Sequence, residues 1–333
     1  MADFQKQKVQ WFPGHMAKTR RQIKEMLPLV DGVVELLDAR VPYSSANPEL
    51  DTLVRGKPRI VLLNKCDVAD PAATKRWIAA FEAQGKTALA VDCRSGKGLS
   101  AFLPTVQQVL KKTIEKNTQR GMAGKPLRLM VVGIPNTGKS SFINRMAGKN
   151  RAKVADKAGV TRQNQWFAVG GGIELLDTPG VLWPKFDDPE VGDRLAFIGS
   201  VKDEVTDLET LTCRLLEVLG RTRPQAIIQR YGIEVDEYMQ GWEILEAIGR
   251  KRGFLMRGGE IDYNRSAVIV ADEFRGGKLG RMTLELPELW NGQHLKIRPA
   301  QRATLASVVL MKPGEVLWQV RCMRRRWCSA RGR

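Results

Sequence analysis

Residues 133–140 read GIPNTGKS, which places Gly133, Gly138, Lys139 and Ser140 in the spacing G-x-x-x-x-G-K-[ST]. Glycines at those points let backbone N–H groups curl around phosphate oxygens, and the helix opened by the lysine adds its positive end. In such a loop Lys139 reaches the β and γ phosphates, and the Ser140 hydroxyl binds Mg²⁺. Asn136, Thr137 and Ser141 lie within or beside the same loop and are taken with it as nucleotide contacts.

Some 70 residues earlier, LLNKCDVAD (62–70) contains Asn64, Lys65, Cys66 and Asp67 as N-K-x-D. Asp67 can accept two hydrogen bonds, from N1–H and the 2-amino group of guanine, which adenine cannot offer. A buried carboxylate left unpaired is costly, so this side chain selects GTP over ATP. Asn64 is expected to tie this loop to the phosphate loop, and the Lys65 stem to cover the ring. DCRSGKG (92–98) supplies Cys93, Arg94 and Ser95, whose backbone N–H groups suit the guanine O6. In LLDTPG (175–180), Asp177 can hold Mg²⁺ through water and the Gly180 N–H can sense the γ-phosphate. Thr161, 22 residues after Lys139 and 16 before Asp177, suits a mobile loop closing on Mg²⁺. The position after Gly180, where a glutamine could orient the attacking water, is Val181, followed by Leu182, and neither can do so. His15, in FPGHM, is the candidate for that water; a histidine packed in the turn after Pro13-Gly14 is the plainer reading.

These loops must sit at strand ends. Apolar runs at 32–39, 59–64, 88–92, 127–133, 164–169 and 173–178 alternate with helical stretches, the pattern of a mostly parallel sheet. A basic helix is predicted over 16–27, with Ile23, Met26 and Leu27 inward and Lys18, Arg20, Arg21 and Lys24 outward. Past residue 193 the strands stop. Leu208, Leu211, Leu215, Val218 and Leu219 fit one helical face, as do Tyr238, Trp242, Leu245 and Ile248. Pro224 can open a helix and Gly276 close one. The predicted division is 1–189, an α/β nucleotide domain with a basic N-terminal helix; 190–286, a helical domain suited to RNA; and 287–333, a basic tail.

Base-reading loops come first here and the phosphate loop follows, the reverse of an ordinary GTPase. A parallel α/β sheet binds its ligand at the carboxyl ends of its strands, so joined old termini and a new opening leave the site intact. The order is that of a circular permutation, with the joining linker within 103–126.

Composition narrows the partners. With 54 Lys+Arg against 36 Asp+Glu the net charge is +18, which favours a polyanion such as RNA. No run of 18 apolar residues is present to span a membrane. Five scattered cysteines (66, 93, 213, 322, 328), no CxxC and two histidines argue against structural zinc and for reduced thiols in a cytoplasmic setting. The tail, with ten Lys/Arg and two acidic residues, reads as an RNA-binding arm or as a disordered extension.

WFPGHM (11–16), DARVPYSSANPEL (38–50), LNKCD, GIPNTGKSSFIN, GVTR and LLDTPGVLWPKF together resemble the circularly permuted GTPases of the ribosome biogenesis GTPase A family. The resemblance spans about residues 9–286, and the tail departs from it. It implies a circularly permuted P-loop GTPase domain, a mostly parallel sheet with helices on both faces, followed by an all-helical C-terminal domain. It also implies GTP hydrolysis linked to rRNA binding in a late step of large (50S) subunit assembly, by a cytoplasmic, ribosome-associated monomer requiring Mg²⁺. The form G-x-x-N-x-G-K-S is similar to phosphate loops of potassium-stimulated GTPases, where the Asn136 oxygen would help bind K⁺. Two other readings stand beside it. One is a GTP-dependent module for tRNA or the small subunit, with incidental hydrolysis; the other is a membrane-surface GTPase anchored by its tail.

Overall fold

The structure, a computed structural model, describes residues 14–148, 165–180, 188–201, 207–236 and 238–289. Residues 1–287 form one compact unit and 288–333 a second, of which only the first two residues are described.

The first helix, α1 (Gly14–Met26), leads into strand β1 (Gly32–Asp38), short helices α2 (Pro42–Ser45) and α3 (Pro48–Leu53), and β2 (Arg59–Asn64). There follow α4 (Pro71–Glu82), β3 (Thr87–Ala90), α5 (Phe102–Val109), α6 (Lys111–Gln119), β4 (Leu127–Val132) and α7 (Lys139–Ala147). A hairpin, β5 (Gln165–Val169) and β6 (Ile173–Asp177), completes the sheet in the order β3-β2-β1-β4-β6-β5. All neighbours are parallel except β5 with β6. The direction of winding reverses between β1 and β4, and a crevice opens at such a point above the carboxyl ends.

Helices cover both faces, so the central strands are apolar throughout rather than alternating. Side-chain direction still alternates along them: Leu127, Leu129 and Val131 of β4 enter one core with Phe102, Val106 and Phe142. Met130 and Val132 enter the other, with Ile23, Leu50 and Leu53. Ile23 is buried as predicted for the basic helix, while Arg21 and Lys24 are exposed. Glu35 is the polar exception on β1, buried and paired with Arg59, which also meets Asp51. The predicted joining linker contains α5, α6 and the loop that delivers the chain to β4.

Beyond residue 188 the described chain is helical: α8 (Pro189–Phe197), α9 (Leu208–Thr222), α10 (Pro224–Tyr231), α11 (Gly241–Arg252) and α12 (Tyr263–Arg275). Asp188, Asp207 and Asp262 cap three of these N-termini with their side chains. The helices share one core, Leu195, Leu211, Leu215, Leu219, Ile244, Ile248 and Phe274 among it, which Val41 and Ile134 also join.

One predicted face is corrected. Tyr238 lies in the turn before α11 and is 80% exposed, and Trp242 is 45% exposed. The buried face of α11 is Gly241, Ile244, Leu245 and Ile248. Helix α11 meets α9 through Gly241, where a Cβ would stand 1.8 Å from the Cys213 carbonyl oxygen, and this rotates Trp242 outward. Val218 is likewise on the outside of α9 at 38% exposure, and Leu216 takes the inner place.

Candidate functional site

Strands β2, β1, β4 and β6 lie side by side, and the last residues of β2, β4 and β6 open three of the loops singled out by sequence. In the phosphate loop Gly133 and Gly138 take φ of 151° and 96°, and Asn136 takes 61°, a left-handed value rare for a side-chain-bearing residue. Lys139 is buried in the first turn of α7, its Nζ donating to the carbonyls of Gly133 (3.1 Å) and Ile134 (2.8 Å). Burial pulls its pKa down to about 8, partly offset by the nearby Asp177 carboxylate. Thr137 is fully buried and closes the loop by donating to the Ile134 carbonyl at 3.0 Å. Ser140 and Ser141 follow Lys139 in the same turn, half-buried.

Asn64 joins three loops. Its Nδ2 donates to the Thr137 carbonyl at 2.6 Å, and its Oδ1 accepts from the Cys93 N–H at 3.0 Å. The expected tie between base loop and phosphate loop is therefore present. In the third loop the Asp92 carboxylate accepts from the backbone N–H of Arg94 (2.8 Å) and of Ser95 (3.1 Å). A guanine O6 approaching this loop would share the Arg94 N–H with Asp92. Burial pushes the Cys93 thiol far above its ordinary range, so it packs as an uncharged group.

Lys65 adopts φ of 61°, and its ammonium lies 3.0 Å from Asp38 Oδ2. The charge is held inside the protein, which leaves the stem for a base. Asp38 also receives Arg40 through two bonds, Nε to Oδ1 at 2.9 Å and Nη2 to Oδ2 at 2.8 Å, both residues being buried. Burial alone would raise the Asp38 pKa, but Arg40 and Lys65 together hold it far below the usual carboxylate range. Sequence reasoning gave Asp38 and Arg40 no role. Their signal was a charged D-A-R closing a strand whose other residues, Glu35 apart, are apolar or glycine.

In the Asp-Thr-Pro-Gly loop, Asp177 is buried at the end of β6, and the Thr178 hydroxyl donates to the Val131 carbonyl at 2.6 Å. Gly180 touches the phosphate loop so closely that a Cβ would lie 2.8 Å from Pro135 N and 2.9 Å from its Cα. The Ser140 hydroxyl, in the first turn of α7, and the Asp177 carboxylate, at the end of β6, are hard oxygen donors. One carboxylate and one hydroxyl suit Mg²⁺, which takes its remaining ligands from phosphates and water. Among the described residues no cluster of three or more His, Cys, Asp or Glu forms a cage for a metal. His15 lies in the first turn of α1, and its side chain, like Thr161, Val181 and Leu182, falls outside the described residues.

The helical layer reaches this site directly. Asn136 Nδ2 donates to the Gly199 carbonyl (2.6 Å) and the Ser200 hydroxyl to the Pro135 carbonyl (2.9 Å). Arg275 donates to the last carbonyls of α8, Ala196 and Phe197, while Arg40 donates to the Arg275 carbonyl. Among the described residues no helix is long and apolar enough to cross a membrane.

A family model described as 50S ribosome-binding GTPase matches residues 128–230. Ribosome biogenesis GTPase A of Bacillus cereus is 46% identical over 286 residues, 86% of this chain and 96% of that protein. The protein of the same name from Thermotoga maritima is 34% identical, over 84% of this chain and 94% of its own length. A GDP-bound structure of TM YlqF superposes with a TM-score of 0.60 at 31% identity, covering 80% of this chain and all of that one. GNP-bound YlqF from T. maritima gives 0.58 over 81% and 99%. A phosphate loop on β4, an N-K-x-D loop on β2 and the strand order that unites them thus coincide with extensive likeness in sequence and structure, and the chain is a GTPase that belongs to the ribosome biogenesis GTPase A family.

Proposed function

We propose that this GTPase is a switch in a late step of large-subunit assembly, binding rRNA of the pre-ribosome in a nucleotide-dependent way. The observation that carries the switch is the direct bonding of the phosphate loop to the helical layer, Asn136 to Gly199 and Ser200 to Pro135. The large subunit as partner is supported by the matching family's description, by the shared name of the relatives and by the +18 charge. In this reading residues 1–189 carry the nucleotide, 190–286 grip RNA, and the protein works as a cytoplasmic monomer on the ribosome.

Asp67 reads guanine, with Asn64, Lys65 and Cys66 forming its loop and the Cys93–Arg94–Ser95 backbone facing O6. Gly133, Asn136, Thr137, Gly138, Lys139, Ser140 and Ser141 hold the phosphates. Ser140, Thr161 and Asp177 would hold Mg²⁺, which supplies charge neutralisation between the β and γ phosphates. The Asn136 amide, oriented by its bond to Gly199, would offer Oδ1 to K⁺, a source of the transition-state charge that an arginine supplies elsewhere. Gly180 N–H senses the γ-phosphate, and His15 orients the attacking water.

The test is GTP hydrolysis by wild type and His15→Ala, in K⁺ and in Na⁺, with large subunits, small subunits or liposomes. Stimulation by large subunits in K⁺, lost in the variant, is expected. Stimulation by small subunits or liposomes alone would replace the partner. Equal rates for both proteins would remove His15 from the mechanism.

A further inference from the structure

The chain after α12 returns to the base-reading loop and lies along it. Arg281 Nε donates to the Asp67 carbonyl at 2.7 Å and Nη2 to the Cys66 carbonyl at 3.3 Å. The Met282 N–H donates to the Val68 carbonyl at 3.0 Å, and the Thr283 hydroxyl oxygen accepts from the Asp70 N–H at 3.2 Å. Thr283 also donates to the Ala39 carbonyl, and the Leu284 N–H to the Arg40 carbonyl. Gly277 fits because it lacks a side chain: at φ 74° a Cβ would stand 2.4 Å from Val68 Cγ1. Four backbone groups of residues 66–70 are therefore met by three consecutive residues lying more than 200 positions later.

These contacts are mostly to carbonyl oxygens, and carbonyls do not read a base. Their effect is to fix the peptide planes on either side of the Asp67 Cα, and those planes decide where its carboxylate points. Recognition by two parallel hydrogen bonds is sensitive to such aim, because a carboxylate displaced by about 1 Å keeps at most one of them. We infer that Arg281 is a positioning residue for guanine specificity, a part of the nucleotide site supplied by the segment that closes the helical layer. The inference rests on Asp67 being the guanine reader.

The experiment measures the affinity of the full chain for GDP, inosine diphosphate and xanthosine diphosphate, as wild type, Arg281→Ala, Arg281→Lys and Asp67→Asn. Inosine lacks the 2-amino group and makes one bond fewer to Asp67. Arg281→Ala is expected to weaken GDP about tenfold and inosine diphosphate less, so that the ratio between them narrows. Lysine, able to hold one carbonyl, should restore part of that ratio. Unchanged affinities in Arg281→Ala, or an equal loss for GDP and inosine diphosphate, would overturn the positioning role. Asp67→Asn separates the two readings: its amide can donate to the xanthine oxygen that replaces the amino group, so preference should shift to xanthosine diphosphate. If it does not shift, Asp67 is not the reader and the role of Arg281 falls with it. Arg281 is exposed, and the bonds of Met282 and Thr283 do not use its side chain; should Arg281→Ala still fail to fold, the ratio measured for Arg281→Lys decides.

Discussion

Replacing Asn64 by alanine removes one side chain and unties three loops. The amide is 3% exposed, and both its partners, the Thr137 carbonyl and the Cys93 N–H, belong to buried residues. A buried group left without a partner costs about 1–3 kcal/mol, so two such groups cost about 2–4 kcal/mol once some water entry is allowed for. That is a fraction of the roughly 5–15 kcal/mol expected for a folded domain, and the variant folds. Its affinity for GDP should fall by tenfold or more, on the order of 1.4 kcal/mol per decade, because the base loop and the phosphate loop no longer hold a common register. Urea denaturation of the free and GDP-saturated protein reads both quantities, since GDP stabilises in proportion to the logarithm of its affinity. Asn64→Asp sharpens the case. It keeps an acceptor for Cys93 N–H but sets a carboxylate against the Thr137 carbonyl, so it should rescue neither stability nor affinity. A stability loss for Asn64→Ala below about 0.5 kcal/mol, with GDP affinity within about twofold of wild type, would refute the tether.

Other perturbations follow from the same geometry. Lys139 has its pKa lowered to about 8 by burial, so the nucleotide-free protein gains stability as pH rises from about 8 towards the ordinary lysine value, where the unfolded chain binds more protons. Phosphate binding restores the charge and should draw in about three quarters of a proton per nucleotide at pH 8.5, read by calorimetry in buffers of different ionisation heat and absent in Lys139→Ala. Gly180→Ala drives a Cβ against the Pro135 backbone, and should spare GDP binding while lowering single-turnover GTP hydrolysis by at least about tenfold. Asp38→Asn leaves buried Arg40 without its counter-charge and should cost about 3–5 kcal/mol at neutral pH. Because the folded Asp38 pKa is depressed, its stabilisation is present above about pH 4 and lost below it, so the variant should lose that part of the acid-unfolding slope.

The sheet was legible because its central strands are covered on both faces, which makes them continuous apolar runs ended by loop chemistry. Each predicted strand contains or overlaps the observed one within about two residues, an ordinary margin for boundaries. The phosphate loop and the Asn64 tether were legible for another reason: their spacing is dictated by a ligand of fixed shape. What hydropathy could not reveal was contact made by residues without it. The α9–α11 packing runs through Gly241, and counting apolar residues there pointed to Trp242 instead. The Asp38–Arg40 pair has no periodicity, and Arg281 lies 214 residues from the carbonyl it holds, a separation across which no local pattern can speak.

Permutation places the helical layer so that it holds the nucleotide site at two ends. Helix α8 begins nine residues after Gly180, and the turn that follows it bonds the phosphate loop through Gly199 and Ser200. After α12 the same layer returns to bond the base loop through Arg281, Met282 and Thr283. A layer touching only the phosphate end could distinguish GTP from GDP and little else. One that also holds the base loop responds to whether any guanine nucleotide is bound. Linkage between two binding events is reciprocal, so a partner that shifts this layer must change affinity at the base end as well as at the γ-phosphate. If the layer binds a partner as proposed above, partner binding would be linked to nucleotide affinity through two separate sets of hydrogen bonds. Substitutions at Gly199–Ser200 and at Arg281 should then affect that affinity independently, as distant sites with no shared partner do.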